Sequence, residues 1–178
     1  MPKLHYVQKA NKSQDKYGIK KGQPYWWWYA PQKPRSKARG TILRSPKKPK
    51  PSALVGSPFL KACMQIQEEL EEASQQLNST DAVKDFVETL QGYAEGFRDM
   101  GSDETGKLQN IPESLQASAT ATLLETRAEQ CEVVAEALSS AATEIEQLDT
   151  GEEMTSDEEA RICVSAAQVF TNILWEFD

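Results

Sequence analysis

The sequence predicts an α+β chain, mainly α, in which a small N-terminal antiparallel β module is followed by an antiparallel bundle of three or four helices. Three observations carry this. Apolar residues recur with period two around PYWWWY but at spacings of three and four beyond Pro58. Between these regimes lies RSPKKPKPSALVGSP, too poor in apolar surface to order itself and semi-rigid through its prolines. The charge also changes sign there: residues 1–61 hold 15 Lys/Arg against one acid, Asp15, a net of +14. Residues 62–178 hold 5 Lys/Arg against 26 Asp/Glu, a net of −21, so the formal total of −7 averages two opposite halves. The implied organisation is a basic aromatic β module over residues 1–44, a Pro/Lys linker over 45–56 and an acidic helical bundle over 57–178.

In the module, Leu4, Tyr6 and Gln8 alternate with His5 and Val7 and suggest a first strand. NKSQDKYG is then a loop that turns at Gly18, and Gln23–Ala30 forms the second strand, with Pro24 marking an edge or a strand entry. Pro31-Gln32-Lys33-Pro34 makes a turn, from which Arg35–Arg39 returns as a third strand. On the second strand Tyr25, Trp27 and Tyr29 share one face while Trp26 and Trp28 share the other. Large rings on both faces have two uses. They bury area in a module too small for an aliphatic core, one face being covered by the helices, or they leave one face open as a binding platform.

The first helix begins at Ser57-Pro58, a cap followed by proline at the first helical position, and carries Phe59, Cys63, Ile66, Leu70, Ala73 and Leu77 on one stripe. A second starts at Ser79 or Thr80 with Val83, Phe86, Val87, Leu90, Tyr93, Ala94, Phe97 and Met100. SDETG and Asn110–Gln116 read as a loop with one helical turn near Pro112. The third helix, Ser118–Leu148, repeats Leu124, Cys131, Leu138 and Ile145 seven apart, with Val134, Ala141 and Leu148 three further on, a heptad seam that would also serve homo-oligomerisation. The fourth opens on a capping box from Ser156 to Glu159 and continues through Ile162, Ala166, Val169, Phe170, Ile173 and Phe177.

No apolar run reaches the 18 residues a membrane span needs, and no apolar stretch follows the basic N-terminus as in a secretory signal, so a cytoplasmic protein is expected. Cys63, Cys131 and Cys163 are widely spaced and His5 is the single histidine, a poor set for a metal; reduced core cysteines are the expectation. With no phosphate loop, nucleophile elbow or metal signature, the chain reads as a non-enzyme without cofactor or metal.

Binding is better supported. Lys and Arg neutralise phosphates without regard to sequence, and an exposed aromatic stacks an unpaired base for about 1–3 kcal/mol. The candidates are Lys20, Lys21, Trp26, Trp28, Arg35, Lys37 and Arg39 in the module and Arg44, Lys47, Lys48 and Lys50 after it, acting on DNA or RNA. The alternative is an acidic inhibitor or adaptor whose Glu68, Glu69, Glu71, Glu72, Glu144 and Glu146 occupy a basic surface of a host protein as a nucleic-acid mimic would.

YVQKA, IKKGQPYWWWYAP with RSKARG behind it, and NIPESLQASATATLLETRAEQCEVVAEALSSAATEIEQLD together resemble a family of tailed-phage and bacterial proteins without an established activity. The likeness spans most of residues 4–148, and it implies a phage-type context in a bacterial host cell. In that family a glycine-rich turn follows the aromatic strand and the return strand carries an aromatic; this chain has PQKP and Arg35-Ser36 instead. The layout of the module is also similar to the arm-type DNA-binding modules of tyrosine recombinases. No recombinase catalytic residues follow, so that likeness implies binding alone. The expectation is a non-enzymatic nucleic-acid-binding or nucleoprotein-associated accessory protein.

Overall fold

The computed structural model describes residues 2–30, 40–148, 155–173 and 175. The chain is α+β, mainly α, and divides into two compact units, Met1–Glu68 and Glu69–Asp178.

In the first unit β1 (His5–Val7), β2 (Tyr25–Tyr29) and β3 (Ile42–Ser45) form an antiparallel sheet in the spatial order β1-β2-β3. Aromatic and β-branched side chains suit these half-buried pleats. The connection from β1 to β2 is itself ordered. Ala10 exchanges backbone hydrogen bonds with Gln23 and Gly22, both at 2.8 Å. Further out, Gln14 and Ile19 pair across a tight turn closed by Gly18 at φ 64°, a left-handed conformation that glycine adopts without steric cost. Ala10, Ile19 and Trp28 are buried in the sheet part of this unit, and Cys63 is buried further along it.

The third strand is Ile42–Ser45 rather than the basic return expected earlier in the chain; that stretch, Arg35–Arg39, and its turn lie outside the described residues. Ile42 and Leu43 offer the apolar surface that a strand beside tryptophans can bury, which Arg35–Arg39 lacks. The Pro/Lys segment also holds an ordered piece, a 3-10 turn at Pro51–Leu54. Ser52, buried there, donates its backbone N–H and its hydroxyl to the two carboxylate oxygens of Glu68, at 2.9 and 2.7 Å.

α1 (Pro58–Ser74) carries the chain from the first unit into the second, and Leu60 donates to the Ser57 cap. Three further helices follow: α2 (Thr80–Gln109), α3 (Ala119–Glu146) and α4 (Ser156–Thr171). Ser79 and Ser118 cap α2 and α3 by accepting from the N–H groups of Ala82 and Ala121. Gln91 bonds Glu146, Arg98 bonds Ser139 and Glu104 meets Arg127, so partners on α3 descend as those on α2 rise and the two helices are antiparallel. α4 runs parallel to α2, where Thr80 donates to Glu159 and Phe86 sets its ring edge-on to Phe170 at 5.6 Å. Leu90, Ala94 and Phe97 of α2, Cys131, Ala135, Leu138 and Ala142 of α3 and Ala166 of α4 are wholly buried between them. The heptad seam is thus covered within the chain's own fold.

Several helix boundaries differ from expectation: α1 ends at Ser74, short of Leu77, and α4 at Thr171, short of Ile173. SDETG is helical, and α2 runs 30 residues to Gln109. Its Gly101 is the reason: a β-carbon there would lie 3.2 Å from the Cys131 β-carbon and 3.3 Å from the Ala128 carbonyl oxygen, so glycine lets α3 approach and packing outweighs the weak local propensity. The α4 capping box is one residue earlier, on Thr155 and Glu158. Thr155 donates its N–H and its hydroxyl to the Glu158 carboxylate, each at 2.8 Å, and the Glu158 N–H returns to the hydroxyl.

These bonds, the backbone one first, hold the Glu158 carboxyl below its ordinary value of 4.5. A carboxyl lowered in the folded state stabilises above its unfolded value and loses that contribution as pH falls through the folded one. The first turn of α4 is therefore expected to lose amide protection selectively as pH drops below about 4.5, whereas Glu158→Gln removes the pH dependence. Hydrogen exchange resolved by residue checks this, and a pH-independent first turn in the unsubstituted chain would refute it.

Candidate nucleic-acid interface

The sheet register builds the site. Across the three strands His5 and Arg44 flank Trp27, while Tyr6 and Ser45 flank Trp26 on the opposite face. Tyr25 pairs with Val7 and Tyr29 with Ile42 on the Trp27 face, and Trp28 pairs with Leu43 on the other. The His5 ring stacks on Trp27 at 4.0 Å between centroids and 7° between planes, and Tyr29 meets Trp27 edge-on at 5.7 Å. Tyr17, from the ordered connection, donates its hydroxyl to the Ile42 carbonyl at 3.3 Å. Its ring carries two cations, the Arg44 guanidinium and the Lys16 ammonium, each 5.7 Å from the centroid. The Trp27 face thus brings the rings of His5, Trp27 and Tyr29 together beside the register position of Arg44, whose guanidinium lies over the Tyr17 ring.

Exposure sorts the aromatic residues. Trp28 is only 6% exposed, so it offers no ring to a ligand. Trp26 is half-buried and tilted against Tyr6 at 4.8 Å. Tyr6 and Tyr29 are 52% and 47% exposed, on opposite faces, and Trp27, His5 and Arg44 are half-buried. Of the candidate cations, Lys20 and Lys21 are exposed on the turn before β2, their backbone N–H groups tied to Gln23 and Ser13. Lys47, Lys48 and Lys50 are exposed beyond β3, and Arg35, Lys37 and Arg39 lie outside the described residues. Among the described residues, Lys16, Lys20, Lys21, Arg44, Lys47 and Lys48 form no ion pair with a carboxylate.

Sequence reading missed His5, Lys16, Tyr17, Trp27 and Tyr29 as site residues. Period two already grouped Trp27 with Tyr29, and the signal it lacked was which face is buried. His5 and Arg44 join Trp27 only through the register.

The candidate acidic residues are more engaged. Glu68 holds Ser52, Glu69 accepts the Tyr93 hydroxyl and Glu146 accepts from Gln91 at 3.0 Å. The bond to Glu69, helped by burial, raises the Tyr93 pKa. Glu71, Glu72 and Glu144 are exposed, and Glu144 borders a groove of about 340 Å³ lined by Val133, Ala137, Val169 and Ile173. Among the described residues no group of three His, Cys, Asp or Glu is placed to hold a metal ion. Burial, with Glu104 and Glu132 adding to it, pushes the Cys131 thiol up to about 11, and burial raises Cys163 as well, which leaves both far from the thiolate that nucleophilic chemistry needs. No described helix is long and apolar enough to cross a membrane.

The fold and site define a small basic aromatic sheet unit joined to an acidic helical unit. No protein-family model, curated protein or solved structure matches the chain.

Proposed function

We propose that this chain is a non-enzymatic nucleic-acid-binding or nucleoprotein-associated accessory protein, of phage origin and acting in the cytoplasm of a bacterial host. The observation that carries it is the juxtaposition on one small sheet of half-exposed rings with cations that have no carboxylate partner among the described residues. A cation without an internal anion keeps its field for an external one, and a polyanion gains by releasing its counterions. Phage origin is supported by the family resemblance of the aromatic-basic stretch. The acidic-mimic alternative has less support, since Glu68, Glu69 and Glu146 are already bonded within the chain.

The test is a fluorescence-anisotropy titration of the full chain with labelled oligonucleotides between about 50 and 200 mM salt. Binding is expected at the low end, with log K falling linearly in log salt at roughly 0.7–0.9 per phosphate contacted. Lys47→Glu/Lys48→Glu, on exposed positions, should weaken it about tenfold or more and flatten the slope. Absence of binding to every oligonucleotide at 50 mM salt, where such contacts are strongest, would sink the reading.

A further inference from the structure

We infer that the ligand of this sheet is single-stranded and that Trp27 and Tyr29 stack its unpaired bases, with Arg44 as the adjacent phosphate contact. The inference rests on the nucleic-acid reading above and narrows it to one ligand class and one face. Trp28 is buried, so the Trp26–Trp28 face cannot present both of its indoles. On the opposite face His5 lies parallel to one side of the Trp27 ring, and among the described residues no ring stacks on its other side. Trp27 is half-buried, and its register partner on β3 is Arg44. Arg44 lies over Tyr17 with no carboxylate paired to it, so its charge remains available beside the ring. Tyr29 extends the surface along β2 with almost half of its area exposed.

These rings present π-faces, and base faces are free only where bases are unpaired. A duplex hides them in its own stack and shows only edges in its grooves, so a surface that offers rings for stacking gains little from it. Single-stranded DNA and RNA share this chemistry.

The experiment compares the full chain binding labelled single-stranded DNA, single-stranded RNA and a duplex of equal length at fixed salt. Single strands should bind more tightly than the duplex, and whichever of the two binds better identifies the source of the bases. Tyr29→Ala, at an exposed position, should weaken single-strand binding about 5-fold or more, the effect of one lost stack, and Tyr29→Phe should restore it because the ring suffices. Trp27→Leu should lose more, with circular dichroism confirming that the sheet and helices remain. Three results would overturn the inference while leaving the function standing: equal affinity for duplex, no loss in Tyr29→Ala where Lys47→Glu/Lys48→Glu still weakens binding, or loss in Tyr6→Ala alone, which would move the site to the other face. Failure of every strand to bind the unsubstituted chain would instead remove the function and this inference together.

Discussion

Phe97→Ala is expected to destabilise the helical unit by about 3–5 kcal/mol, the largest effect of any single truncation in it. Phe97 is 0% exposed in the middle of α2, and its ring lies 6.2 Å from that of Trp175. Alanine keeps the helix intact but removes a ring that its neighbours cannot replace by collapsing, because α2 is held to α3 at Gly101–Cys131 close by. Both lost transfer energy and the residual cavity contribute. Domains of this size have only about 5–15 kcal/mol of stability in total, so the variant would sit near its unfolding threshold at physiological temperature. Urea denaturation followed by helical circular dichroism measures it. A lower midpoint with an unchanged slope is the expected signature, and a loss under about 1 kcal/mol would show that Phe97 fills no tightly packed site.

Arg127→Met should cost about 3 kcal/mol or more through electrostatics rather than volume. Glu104 is the one buried acid among the described residues, 4% exposed, on the α2 segment that SDETG occupies. Its carboxylate is held by Lys107 at one oxygen, while the Arg127 guanidinium stands 3.7 Å from the other. Lys107 is 59% exposed in its side chain and is anchored one helical turn away, so it cannot cover both oxygens when Arg127 is lost. Methionine preserves most of the arginine stem, and the loss then reports an undercompensated buried charge. The double variant Glu104→Met/Arg127→Met removes that charge and should recover most of the stability. A double variant as unstable as the single one would assign the cost to packing.

Several features of this chain were legible before any coordinates, and each is set within a few residues. The reversal from +14 to −21, the faces of the YWWWY strand, the apolar stripes of α1 to α3 and the cap at Ser57 all follow from side-chain type and spacing. What tertiary structure decided is a matter of which surfaces meet. Period two divides the tryptophans into two faces, but only burial distinguishes Trp28, which has no ring to offer, from Trp27, half-buried beside Arg44. The third strand at Ile42–Ser45 depends on the pairing surface that β2 presents, and the helical state of SDETG on the close approach at Gly101 and the ion pairs of the buried Glu104. The ordered turn in the proline-rich segment exists because Glu68, 16 residues on, brings its carboxylate to Ser52. Local propensity acts over one or two helical turns and is worth fractions of a kcal/mol per residue, whereas burying a ring or satisfying a buried charge is worth several, and those partners are distant in sequence.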